Sequence, residues 1–279
     1  MTRAKTRDRA DSDTLCHDPE GGLPRLLEIM RRLRDPETGC PWDVEQTFET
    51  IAPYTIEEAY EVSDAIDRGD WADLKSELGD LLLQTVYQTQ IGAERGLFDF
   101  HDVANGIAQK MLDRHPHVFG DESNAKSAEQ QTRDWEAQKA RERAAKAEKG
   151  VLDGVALGLP ALMRALKLQK RAARVGFDWD DADQVLAKLA EESAELADAR
   201  DAGDAAKLHE EFGDLLFVVV NLGRHLGLDP EHALRDANAK FTRRFAHIEA
   251  ELARAGRNPE AASLDEMEAL WQAAKANGL

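Results

Sequence analysis

The chain has 279 residues, enough for one large domain or two ordinary ones with real cores. Its 36 lysines and arginines against 54 aspartates and glutamates give a formal charge of −18. That balance disfavours stable, sequence-independent binding to nucleic acid, which rests on basic groups meeting phosphate. A small anionic substrate stays possible where cations or bound metal gather locally.

Two cysteines, Cys16 and Cys40, are too few for a disulfide framework and suit a reducing interior. The opening "MTRAKTRDRADSDTL" is charged, with no apolar core, so it does not read as a secretory signal. The longest apolar run, Leu215 to Val220, is far too short to cross a bilayer. The expectation is a soluble cytoplasmic protein with no membrane part.

Taken in chain order, residues 1–21 form a polar leader that is expected to be disordered. Leu23 to Leu33 follows as an amphipathic helix, closed by "DPETGCP". "TIEEAYEVSDAI" and "DLKSELGDLLLQTVYQTQI" are two more helices, separated by the turn "DRGD". "DFHDVANGIAQKMLDRH" starts behind Asp99 or Asp102 as cap and stops before Pro116. "SAEQQTRDWEAQKARERAAKAEK" is a charged helix. Residues 146–159 read as the linker, because "GVLDGVALGLP" at 150–160 is glycine-rich and loses helical periodicity. The expected domains are therefore 22–145 and 160–279. The second contains "ALMRALKLQKRAARVGF", "DADQVLAKLAEESAELADARDAG", a helix through "LHEEFGDLLFVVVNLGRHLG", then "PEHALRDANAKFTRRFAHIEAELARAG" and "SLDEMEALWQAAKA". Val218 to Val220 would suit a strand, but Glu210 to Leu226 has no turn signal and is too long for one, so it reads as a mostly buried helix.

The two halves repeat each other. A shift of 134 positions lays Glu191, Glu192 and Glu195 on Glu57, Glu58 and Glu61, and Glu211, Gly213 and Asp214 on Glu77, Gly79 and Asp80. With small further shifts, Lys240 and Arg244 parallel Lys110 and Arg114, and Trp271 and Lys275 parallel Trp135 and Lys139. The fold class is all-α: two tandem repeats, each an antiparallel helical module.

Residues three apart share a helix face, so Glu192 with Glu195 and Glu211 with Asp214 form two acidic pairs on neighbouring antiparallel helices. One such pair is ordinarily a solvated surface. A duplicated quartet followed at once by an apolar helix points instead to a hard, oxygen-rich site for Mg²⁺ or Mn²⁺. Gly213 costs about 1 kcal/mol of helix propensity and would give a helix or ligand room to approach. A di-iron carboxylate bundle would need Glu-x-x-His, and no histidine here has a glutamate three residues before it. Lys240 and Arg244 lie on one helical face and could grip a polyanion, although basic surface residues are common. Trp271 with Lys275 could stack a base and add a cation; a terminal-helix tryptophan more often packs in a core or interface.

The segments "LRDPETGCPWDVEQTFETIAPYTIEEAYEV", "ELGDLL", "RHPHVFG", "LPALMRALKLQKRAARVGFDW", "EEFGDLLFVVVNLGRHLG" and "NAKFTRRF" resemble the two-repeat MazG nucleoside triphosphate pyrophosphohydrolases, over roughly residues 22 to 276. The resemblance implies an all-α homodimer that uses Mg²⁺, with Mn²⁺ as substitute, to cleave an NTP, and a dNTP as a further candidate, to the monophosphate and diphosphate. It implies Glu192, Glu195, Glu211 and Asp214 as metal ligands, with Glu192 or Glu191 accepting a proton from water. It implies substrate contacts at Lys188, Lys207, Lys240, Arg244, Trp271 and Lys275. A second, less active site would use Glu57, Glu58, Glu61, Glu77, Asp80, Lys110, Arg114, Trp135 and Lys139. Two alternatives stay open: a relative acting on phosphoribosyl-ATP or a non-canonical nucleotide, and a non-catalytic helical nucleotide-binding regulator. "GCPWD" at 39–43 is a signature of the same family, read physically as a rigid turn with Trp42 as its anchor.

The shift also sets the halves apart: Lys188 falls on Tyr54 and Lys207 on Asp73. The second site gains two cations where the first gains none, so it is expected to be the principal one for a phosphate-rich substrate.

Overall fold

The computed structural model describes residues 8–120 and 150–279, together with Ser127, Gln130, Gln131, Asp134 and Trp135. The chain divides into two compact units, residues 1–138 and 139–279. Every regular element among the described residues is helical.

In the first unit, α1 (Arg9–His17) and α2 (Gly22–Leu33) lead into a short α3 (Pro41–Glu45). The long pair α4 (Phe48–Arg68) and α5 (Trp71–Glu94) follows, then α6 (Phe100–Arg114) and a single turn, α7 (Pro116–Phe119). Helix α1 corrects the expectation of a disordered leader over Arg9–His17, while residues 1–7 of that leader lie outside the described residues. Asp8 caps it by accepting the Asp11 N–H at 2.9 Å, and the hydroxyl of Ser12 donates to the buried Glu28 of α2. Asp13 pairs with Arg32, and Arg25 Nε donates to the Cys16 carbonyl at 2.9 Å. A polar segment is thus held by charge-assisted contacts rather than by apolar burial.

Helix α4 starts earlier than "TIEEAYEVSDAI" suggests. A capping box between Thr47 and Thr50 sets its start, and the helix continues through Pro53. Its far end closes on Gly69 at φ +67, and Asp70 then caps α5. A left-handed residue at that position costs glycine little, so the chain reverses within two residues. Met30, Ile51, Val86, Tyr87 and Ile91 form the core of this unit, and Leu26, Leu27, Phe48, Leu83 and Phe100 pack around it. Full burial stabilises by about 2 kcal/mol per large aliphatic side chain.

The "DPETGCP" segment is a rigid turn, as read from sequence. A Cβ on Gly39 would collide with the carbonyl oxygens of Leu33 and Asp35, so only glycine fits. Arg34 is buried, paired with Glu94 (Nη2 to Oε2, 2.7 Å), and its Nη1 donates to the carbonyls of Asp43 and Gln46. The Tyr87 hydroxyl lies 2.9 Å from Asp43 Oδ1. Trp42 is not the anchor: it is 53% exposed, and this Arg34–Asp43–Tyr87–Glu94 network holds the turn instead.

The second unit repeats the long pair. Helix α8 (Ala161–Ala173) precedes α9 (Ala182–Ala202) and α10 (Ala205–His225), and α11 (Pro230–Arg254) and α12 (Leu264–Ala276) follow. Gly203 at φ +71 ends α9 and Asp204 caps α10, the same turn as in the first unit. Leu215 to Val220 lies within α10 and is helical, as expected, but the stretch is not mostly buried: Val218 and Val220 are buried, whereas Leu216, Phe217 and Val219 are exposed. Part of the proposed linker belongs to this unit's packing: Val155 is buried, and Arg171 donates to the Asp153 carbonyl. Of the charged segment 127–149, including Lys139, all but the five residues named above lie outside the described residues.

Candidate active site

The pairing of α9 with α10 brings Glu192, Glu195 and Glu211 together, each offering an oxygen within 4.8 Å of the others. Glu192 and Glu211 are buried, at 5% and 7% exposure. Two buried carboxylates are costly without compensation, and lysines supply it. Lys188 Nζ lies 2.6 Å from Glu192 Oε1 and 3.0 Å from Glu191 Oε1. Lys207 Nζ lies 3.8 Å from Glu211 Oε1. Those carboxylates push the Lys188 ammonium pKa above the ordinary lysine range. Burial, then the charge of Glu195, raises the Glu211 pKa, while Lys207 opposes the rise.

Asp214, expected as a fourth ligand, is exposed and outside this group. Gly213 beside it faces open space: among the described residues a Cβ there would meet no atom within 4 Å and no neighbouring helix approaches, contrary to one use foreseen for that glycine. Gly79 stands in equally open space.

In the first unit, α4 and α5 group a different three of the four repeated carboxylates, Glu58, Glu77 and Asp80. Glu61 lies outside that triple, yet its charge and a hydrogen bond help raise the Glu58 pKa, after burial and Asp80. Burial raises Glu77 as well, followed by Asp73, whose position holds a lysine in the second unit. Among the described residues no ion pair reaches Glu58, Glu77 or Asp80. Arg68, the nearby cation, is committed to Asp64, Asp70 and Asp73. Glu57 is exposed.

The basic residues form a separate group. The Arg244 guanidinium lies 5.4 Å from the centre of the Trp271 ring, which also packs on Phe241, and Arg244 Nε donates to the Leu279 carbonyl at 2.8 Å. Lys240 is exposed, as is Lys275 on α12. Among the described residues no hydrogen bond or ion pair joins these four to the carboxylates. In the first unit Trp135 donates to the Arg114 carbonyl at 3.1 Å and packs edge-on against His115, while Lys110 is exposed.

One residue escaped the sequence reading. Gln84, buried on α5, points its amide nitrogen at Glu58 Oε1, 3.5 Å away, and its Oε1 has no hydrogen-bond partner among the described residues. The signal lay in the repeat itself, because the 134-residue shift sets Gln84 against Val218.

Residues 46–119 and 181–249 each match the MazG nucleotide pyrophosphohydrolase domain, and these spans contain both carboxylate groups. The chain belongs to the MazG family. It is 54% identical over 255 residues to the nucleoside triphosphate pyrophosphohydrolase of Escherichia coli K12, covering 91% of this chain and 97% of that protein. It is 44% identical over 250 residues to the nucleoside triphosphate pyrophosphohydrolase/pyrophosphatase MazG of Thermotoga maritima, covering 90% and 94%. It is 43% identical over 248 residues to YabN of Bacillus subtilis, covering 88% of this chain and half of that one. The two MazG repeats span the two units, and in each the acidic residues lie on the first repeated hairpin, α4–α5 or α9–α10.

Proposed function

We propose that this MazG chain hydrolyses nucleoside triphosphates, NTPs and dNTPs, to the monophosphate and diphosphate, with Mg²⁺ as cofactor and the second repeat as the working site. One observation carries the reading: a tight, lysine-backed carboxylate triple in a chain 54% identical, over nearly its full length, to a nucleoside triphosphate pyrophosphohydrolase.

The donor set fits the ion. Three carboxylate oxygens within 4.8 Å of one another suit a hard divalent cation, and Mn²⁺ would substitute for Mg²⁺. Bound there, Mg²⁺ would neutralise phosphate charge and acidify a water. Glu192, Glu195 and Glu211 would hold it, with Asp214 as an outlying fourth ligand. Glu191 is more exposed and, among the described residues, pairs with Lys188 alone, so it is the better placed of the two candidate bases to take a proton from water. Lys188 and Lys207 bring positive charge to the rim that the triphosphate must cross. Lys240, Arg244, Trp271 and Lys275 would receive the rest of the nucleotide.

The same reading includes a homodimer. Leu208, Phe212, Leu216 and Val219 are exposed along one stripe of α10, at the spacing that pairs helices. Leu208 and Phe212 also line a cavity of about 610 Å³ with Leu196 and Ala197. That lining is mostly apolar, so the cavity suits helix packing better than a triphosphate. Among the described residues no helix is long and apolar enough to cross a membrane. The two free thiols support a cytoplasmic setting and access to its nucleotide pool.

Incubating the pure protein with a nucleotide panel and Mg²⁺, then separating the products, tests the activity. Monophosphate and diphosphate are expected. Release of a nucleoside diphosphate and orthophosphate would overturn the reaction.

A further inference from the structure

The Arg244 guanidinium on α11 is restrained on two sides before any ligand reaches it. The centre of the Trp271 ring on α12 lies 5.4 Å away, and that ring is backed by Phe241 at 5.3 Å between centroids. Arg244 Nε donates to the Leu279 carbonyl at 2.8 Å. Among the described residues, Nη1 and Nη2 take part in no hydrogen bond or ion pair.

A turn behind α12 delivers that carbonyl. The helix ends at Ala276, and the chain curls back over its last turn: the Gly278 N–H donates to the Lys275 carbonyl and the Leu279 N–H to the Ala274 carbonyl, each at 3.1 Å. Gly278 has φ +78, a left-handed conformation that β-branched residues adopt only under strain. Among the described residues a Cβ there would meet no atom within 4 Å, so the backbone angle rather than lack of space favours glycine.

The contact decides how Arg244 can meet a polyanion. A guanidinium offers a phosphate either its Nε–Nη side or its Nη1–Nη2 end. The Leu279 carbonyl occupies Nε, which leaves the end. A long arginine loses rotamer freedom when it grips a ligand, and one already held by a ring and a carbonyl loses less.

We propose that the turn at 277–279 is a positioning device for substrate: the Leu279 carbonyl holds Arg244 by its Nε, so that the Nη1–Nη2 end is presented to a phosphate of the nucleotide. The inference rests on the proposed function in taking Arg244 as a nucleotide contact.

Calorimetric titration of the full chain with Mg²⁺ and an ATP analogue carrying a methylene between its α and β phosphates tests it without turnover. Gly278→Val, which strains the turn, should weaken binding about three- to tenfold, the range expected from immobilising one rotamer-rich side chain. Deletion of Gly278 and Leu279 should do the same. Gly278→Asn, which tolerates a positive φ, and Leu279→Ala, which keeps the carbonyl, should stay within about twofold of the parent. In an Arg244→Ala background, Gly278→Val should add nothing, because the turn acts through that side chain. With ATP itself, Gly278→Val should raise KM by the same factor and leave kcat within about twofold. Tighter binding in Gly278→Val would make the turn a competitor of the nucleotide and overturn the proposal. So would unchanged binding, or an undiminished loss in the Arg244→Ala background. If Arg244→Ala alone leaves affinity unchanged, Arg244 is no nucleotide contact, and both that part of the proposed function and this inference fail. If Arg244→Ala weakens binding while Gly278→Val does not, only this inference fails.

Discussion

The two acidic sites sit on the same device, a pair of long antiparallel helices reversed by a left-handed glycine and an aspartate cap, yet they differ in electrostatic balance. Gly69 with Asp70 and Gly203 with Asp204 make the same turn. Around the second site, Lys188 and Lys207 face the carboxylates directly. Around the first, Asp73 adds negative charge, and Arg68 is occupied by its own three aspartates. A repeated backbone therefore does not imply a repeated chemistry. The frame brings carboxylates together, and the residues one turn before them decide whether cations face them.

The comparison breaks most sharply if the lysines are removed. Writing the first repeat's chemistry into the second, as Lys188→Tyr with Lys207→Asp, should lower kcat/KM for a nucleoside triphosphate by roughly 10²-fold, after allowing for the solvent exposure of Lys207. Steady-state kinetics at saturating Mg²⁺ would measure it. A loss below about threefold would mean that the lysines are ordinary surface residues.

A smaller effect separates the frames that hold the helices. In the second unit Asp178 pairs with Arg224 (Nη1 to Oδ2, 3.0 Å) and lies 3.2 Å from His225 Nε2, which joins the segment before α9 to the end of α10. Arg224 chiefly holds the Asp178 pKa below its ordinary value of 3.8. A carboxylate whose folded pKa is depressed contributes stability above its unfolded pKa and loses it as pH falls through the folded value. Asp178→Asn should therefore cost on the order of 1 kcal/mol at neutral pH. The gap to the parent should close as the solution is acidified below the ordinary carboxylate range. Urea midpoints across pH would show it, and a gap that widened in acid would contradict the assignment. The first unit, whose corresponding clasp is built on the buried Arg34 and Glu94, should not respond.

Much of this was legible in the sequence for physical reasons. Helical periodicity, the repeat at 134 residues and the glycine–aspartate turns all act locally, so they fixed the helices and put Glu192 beside Glu211. Even the Val-Val-Val run read correctly as helix, because its length outweighed β-propensity, although its expected burial did not follow. Contacts between residues distant in sequence were not legible. Nothing local announces that Ser12 would meet Glu28, or that Arg34 would bury itself under the "GCPWD" turn and leave Trp42 in solvent. Helical spacing put Glu211 and Asp214 on one face, but spacing alone does not say how far each carboxylate reaches, and Asp214 stays outside the group. Gln84 was hidden for another reason: a single glutamine in an apolar stretch is conspicuous only beside its counterpart, Val218.

The most direct test of the unequal repeats is a pair of isosteric substitutions, Glu211→Gln and Glu77→Gln, each removing one charge from one site with little change of shape. Turnover of a nucleoside triphosphate would be measured for both, with circular dichroism confirming that both stay folded. Glu211→Gln should lose nearly all activity, about 10²-fold or more, and Glu77→Gln should keep most of it. The reverse order would move the working site to the first repeat, and equal partial losses would mean that both repeats turn over.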